Sequence, residues 1–147
     1  LNPKFDESNK ENVYTRNKVR NLLIPYIEKE FNPNIIESIS RLSDLATQES
    51  NFVDNVVDKE FKNTLISYNE SEIKLDLKKF NNLDSFIKAK IILKSVAKLF
   101  YTTKGIEKVH IEDVIKLCER NIGNKYLTPN RNLKFFIKKG VITISKV

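Results

Sequence analysis

Apolar residues recur at helical spacing through the first half of the chain and alternate with polar ones near its end. Val19, Leu22, Leu23, Tyr26 and Ile27 fall on one face of a helix predicted from Arg16 to about Phe31, with Thr15 as its cap. Pro25 lies inside that pattern. It should kink or divide the helix, because proline has no backbone donor and crowds the preceding turn. Asn32-Pro33 combines a capping side chain with a proline suited to the first helical position. From there Ile35, Ile36, Ile39, Leu42, Leu45 and Ala46, then Phe52, Val53, Val56 and Val57, predict one long helix to about Phe61.

The pattern then shortens. Leu65–Tyr68 and Ile73–Leu77 flank the turn-like Asn69-Glu70-Ser71 and read as a small hairpin. A helix is expected from about Asp84 to Thr102, with Phe86, Ala89, Leu93, Val96, Ala97 and Phe100 on its apolar face and Gly105 near its end. A shorter helix over Ile111 to Asn121 carries Glu112 and Asp113 in its first turn, where they suit the helix dipole. Finally Leu133, Phe135 and Ile137 point one way and Lys134, Phe136 and Lys138 the other. Gly140 turns the chain into a closing strand with Val141, Ile142 and Ile144. The expected class is α+β and mainly helical: long helices, short antiparallel strands and a C-terminal hairpin.

Composition narrows the function classes. Forty per cent of the 147 residues are hydrophobic and 31% are charged, as in a folded globular chain. No apolar run approaches the roughly 20 residues of a membrane span, and no signal pattern opens the chain. The one cysteine, Cys118, has no internal partner, so a reducing cytoplasmic setting is the default. The formal net charge of +7 favours polyanions, because lysines and arginines beside phosphates release condensed counterions. The chain has no methionine and opens at Leu1, and so reads as an excerpt.

Enzymatic signals are few. The three glycines, Gly105, Gly123 and Gly140, form no phosphate-cradling loop. His110 stands near a helix start without cysteine or paired carboxylates at metal-ligand spacing, and reads as a capping or packing residue. No metal site and no catalytic residue is therefore assigned. The densest polar group lies at the start: Asp6, Ser8 and Asn9, then Tyr14, Arg16, Asn17 and Arg20. Arg16 and Arg20 are one helical turn apart, and paired guanidiniums grip phosphate or carboxylate in planar, bidentate fashion. The same residues also fit a clasp in which Asp6 and Asn9 fasten the arm to the first helix. Two basic surfaces follow. Lys90, Lys94 and Lys98 form a helical stripe, while Lys134 and Lys138 flank Phe136 with Arg131 and Lys139 close by. Basic residues interleaved with an aromatic suit a surface that tracks a nucleic-acid backbone and stacks bases.

The string Asp6-Glu7-Ser8-Asn9, then Tyr14-Thr15-Arg16-Asn17, Arg20 and Pro25, resembles a signature of the tRNA(Ile)-lysidine synthases. The later Leu127-Thr128-Pro129-Asn130, Leu133, Lys138, Gly140, Ile142 and Ile144 are similar to the same family more loosely. The resemblance implies the middle region of an ATP-dependent ligase that joins lysine to the wobble cytidine of the AUA-decoding isoleucine tRNA. ATP and lysine would be substrates of the complete enzyme, and the fragment alone would bind neither. The family's nucleotide-binding loop is not in this sequence, so the fragment is expected to be inactive by itself. Asp6, Asn9, Arg16, Asn17 and Arg20 would complete the edge of the active site. Lys90, Lys94, Lys98, Arg131, Lys134, Phe136 and Lys138 would hold the tRNA with its CAU anticodon. Residues 1–31 would be an arm and kinked helix joining a missing N-terminal catalytic domain, and 32–147 the tRNA-binding domain. A homodimer is left open. The competing expectations are a stand-alone basic nucleic-acid-binding module and a helical interaction domain.

Overall fold

The computed structural model describes residues 14–120 and 125–147. It is α+β and mainly helical, as the periodicities predict. The chain divides into two compact units, Leu1–Asn51 and Phe52–Val147.

In the first unit, helix α1 (Thr15–Lys18) passes directly into a wide π-turn (Val19–Leu23) and then into α2 (Ile24–Glu30). Tyr14, not Thr15, is the N-cap residue, and its carbonyl accepts from the Asn17 and Lys18 amides. The disturbance expected at Pro25 falls in the turn before it, between α1 and α2. The preceding turn widens so that the Ile24 amide donates to the Val19 carbonyl five residues back. A wide turn at this point gives the proline ring the room that an ordinary α-turn denies it. After Asn32, whose side-chain oxygen accepts from the Asn34 amide, helix α3 runs from Ile35 to Thr64. It starts two residues beyond Pro33 and continues through the polar Gln48–Asn51 stretch without a break. Its apolar stripe is contiguous in azimuth, yet Ile36, Ile39, Leu42 and Leu45 are exposed, and Val57, Phe61 and Thr64 are buried near its C-terminal end.

The second unit is a two-layer arrangement. Strands β1 (Leu65–Tyr68), β2 (Glu72–Asp76), β3 (Lys125–Asn130), β4 (Leu133–Lys138) and β5 (Val141–Lys146) form one antiparallel sheet in the order β1-β2-β5-β4-β3. The β1–β2 turn is closed by the Asn69 side chain, which accepts from the Ser71 and Glu72 amides. The β4–β5 turn places Lys139 at φ 48° and Gly140 at φ 76°. Two successive left-handed residues match the right-handed twist of the strands they join. One face of the sheet, carrying Ile73, Leu75, Leu133, Phe135, Ile137, Ile142 and Ile144, is fully buried. Packed with it are the end of α3, α4 (Leu77–Asn81), α5 (Ser85–Phe100) and α6 (Lys108–Glu119). Each such side chain contributes about 1.5–3 kcal/mol by leaving water.

Three features depart from expectation. Asp76 accepts from the Lys79 amide and so turns Leu77, read as the end of a strand, into the start of α4. Helix α5 buries Ile91, Ile92, Val96 and Leu99 together with Lys88 and Ser95, while Phe86 stays exposed. The apolar face read from the sequence was thus rotated. The helix is apolar on two sides, and the buried side tolerates two polar residues because each has a partner. Lys88 pairs with Glu119 at 3.0 Å, and Ser95 donates to the Ile91 carbonyl. Third, α6 begins three residues earlier than expected. The Glu107 amide donates to Nδ1 of His110, which makes the histidine part of the cap, as its position near a helix start predicted.

Candidate nucleic-acid interface

Of the first polar constellation, Asp6 and Asn9 lie outside the described residues. Asn17 is buried on α1, while Arg16 and Arg20 project from the same helical segment and are exposed. Arg20 stands in the π-turn that relieves Pro25, so the backbone irregularity and the arginine pair share one short stretch. Val19, Leu22, Leu23 and Tyr26 line an apolar recess beside them with Thr15 and Lys18.

The α5 lysines are not a uniform solvated stripe. Lys94 forms an ion pair with Asp58 at the end of α3. That hydrogen bond holds the Asp58 carboxyl below its ordinary range. Lys98 lies over the rings of Phe61 and Tyr68, at 5.9 and 5.4 Å from their centroids. Lys90 lies 5.5 Å over Phe86. Each ammonium is thus placed against this protein's own side chains, with energies of about 0.5–1 kcal/mol at exposed sites for the ring contacts.

The second basic surface is built by the sheet. Along β4, Lys134, Phe136 and Lys138 point away from the buried face, as the alternation requires. Register then adds what the linear sequence hides. Tyr126 on β3 stands opposite Phe136, and Phe136 opposite Thr143 on β5. The Lys134 ammonium sits 4.8 Å from the Tyr126 centroid and 5.8 Å from that of Phe136. Arg131 is exposed in the β3–β4 turn and Lys139 in the β4–β5 turn. At the far end of the same row, Lys74 faces Thr143 but is engaged by Glu72 at 2.6 Å.

Charge is distributed just as unevenly. From Arg120 to Val147 there are seven basic residues and no Asp or Glu, while the remaining 19 Lys and Arg are matched by 19 Asp and Glu. Arg120 caps α6, and the other six lie in the segment that forms β3, β4 and β5. This imbalance is legible in the sequence and marks the region, whereas Tyr126 becomes part of the surface only through strand register. Strand β3, which carries Pro129, is not among the elements that the sequence pattern predicts. The proline lies on an edge strand, where a missing donor costs no ladder bond.

Among the described residues no group of three His, Cys, Asp or Glu side chains converges to hold a metal ion. No described helix is long and apolar enough to cross a membrane. Cys118 is buried, and burial pushes its thiol up to about 12, which makes it a poor nucleophile.

No family model matches the chain. Individual relatives do. It is 32% identical over 145 residues to a tRNA(Ile)-lysidine synthase of Clostridioides difficile (strain 630), covering 99% of this chain and 31% of that protein. A tRNA(Ile)-lysidine synthase of Clostridium perfringens (strain ATCC 13124) is 34% identical over 125 residues, covering 85% of this chain and 26% of the relative. One from Clostridium acetobutylicum is 32% identical over 146 residues, covering 98% and 31%. The chain thus spans roughly three tenths of the length of the relatives it matches. By sequence it belongs with the tRNA(Ile)-lysidine synthases, as the counterpart of that portion of them.

Proposed function

We propose that this chain is the tRNA-holding portion of an ATP-dependent tRNA-modifying ligase that joins lysine to the wobble cytidine of a CAU-anticodon isoleucine tRNA. The similarity to lysidine synthases along nearly the whole chain carries this reading. The concentration of six of the seven excess positive charges in β3, β4, β5 and their turns supports it, because strands free of carboxylates attract phosphates with little local competition. In this reading Lys134, Lys138, Arg131 and Lys139 track the tRNA backbone. Lys90 and Lys98 add contacts by leaving the rings they now cover, and Lys94 joins them only by releasing Asp58.

Arg16, Asn17 and Arg20, with Asp6 and Asn9, complete the edge of a catalytic site supplied by an N-terminal domain that binds ATP and lysine. Residues 1–31 join that domain, and 32–147 present the tRNA surface. The test is tRNA binding by the chain, titrated with salt, comparing the AUA-decoding isoleucine tRNA with another isoleucine tRNA. Salt-sensitive binding that favours the AUA-decoding species is expected. Absence of binding to either at low salt overturns the tRNA-holding role.

A further inference from the structure

We infer that Tyr126 and Phe136 form a stacking platform for an unpaired nucleotide of the bound RNA, with Lys134 receiving that nucleotide's phosphate. The inference rests on the tRNA-holding reading above and adds which kind of RNA element the sheet accepts. Three observations carry it. The antiparallel register puts the two rings side by side on adjacent strands, on the sheet face opposite the hydrophobic core. Tyr126 is 60% exposed although it is a large aromatic on an edge strand, so its ring is available without any rearrangement of the core. The residues next to the pair on this face are cationic or neutral. Lys134 and Lys138 share β4, Thr143 and Ser145 follow on β5, and no carboxylate lies on β3, β4 or β5.

This chemistry discriminates between RNA forms. A duplex keeps its bases stacked on one another and offers a protein mainly phosphates, riboses and groove edges. An unpaired base offers a free π-face, which an exposed aromatic takes up with little regard to sequence. The Lys134 side chain, lying over both rings, covers them while no ligand is present. On binding, a base takes its place on the rings and the ammonium moves to the adjoining phosphate. Apolar and electrostatic surfaces are thereby both satisfied by one nucleotide. A peptide partner is disfavoured, because an acidic segment long enough to use the lysines has no feature requiring two adjacent rings.

The experiment measures binding of the full chain to two RNAs at equal salt. One is a blunt hairpin, and the other is the same hairpin with an unpaired four-adenosine 3′ extension containing 2-aminopurine. The expected result is about tenfold tighter binding of the extended RNA, with a change in 2-aminopurine fluorescence on binding. Tyr126→Ala should reduce that preference to about twofold or less, and Tyr126→Phe should retain it. Lys134→Ala should weaken both RNAs. Equal wild-type affinity for the two RNAs overturns the platform while leaving the tRNA-holding role standing. So does a Tyr126→Ala variant, folded by circular dichroism, that weakens both by the same factor. Failure to bind either RNA overturns both.

Discussion

At the scale of single residues, the side chains with the most distinctive environments are not all functional. Cys118 is fully buried against the core, and its thiol is raised to about 12 by loss of solvation. Its folded value therefore lies above the roughly 8.5 of an exposed thiol. The stability it contributes is fully present below that unfolded value and falls by about 1.4 kcal/mol per pH unit as pH rises toward the folded one. Denaturant titrations between pH 8 and 11 should show a steeper alkaline loss for the wild type than for Cys118→Ala. Arg16 makes the opposite case: it is exposed, on the four-residue helix α1. In the complete enzyme Arg16→Ala is expected to lower lysidine formation at least tenfold, about 1.4 kcal/mol in the barrier. Its melting temperature should be unchanged. Wild-type turnover at equal folded concentration would instead mark Arg16 as part of a clasp.

At the scale of elements, what positions the candidate surface is the β4–β5 hairpin. Its turn places both Lys139 and Gly140 in the left-handed region. A Cβ at Gly140 would meet open space, so the cost of adding one is conformational, not steric crowding by neighbours. Gly140→Ala is expected to destabilise the protein by about 1 kcal/mol. Lys139→Asn should raise stability by several tenths of a kcal/mol, since Asn-Gly is the favoured pair for such turns. Urea midpoints of the two variants against the parent measure both effects. The two changes together separate hairpin geometry from charge, because only Lys139→Asn also removes a cation from the β4–β5 turn.

For the whole molecule, the decisive property is where the charge lies. Because the excess is confined to Arg120–Val147, the salt dependence of RNA binding should come mainly from that end of the sheet. Removing two phosphate contacts with Lys134→Ala/Lys138→Ala is expected to lower the slope of log affinity against log salt by about 1.4 to 1.8. Removing two distant cations, as in Lys59→Ala/Lys62→Ala on α3, should leave the slope within error of the parent. An equal change in both variants would mean that the positive charge acts diffusely, with no tracked backbone on the sheet.

Sequence by itself determined the class of fold, the long α3 helix, the β1–β2 and β4–β5 hairpins, and the split of β4 into buried and outward faces. These are local consequences of period and turn chemistry, which a linear pattern records. It also pointed to the family, through rare residues held at fixed spacing and, later, relatives aligned along nearly the whole chain. Tertiary structure alone decided which of α5's two apolar sides faces the sheet, since that depends on partners such as Glu119 for Lys88. It also decided that Lys94 is tied to Asp58, and that Tyr126 joins Lys134 and Phe136 across a strand pair whose edge member carries a proline. The physical reason is common to all three. Which side chains meet across elements is fixed by register and packing between segments distant in the chain, and no periodicity within one segment encodes it.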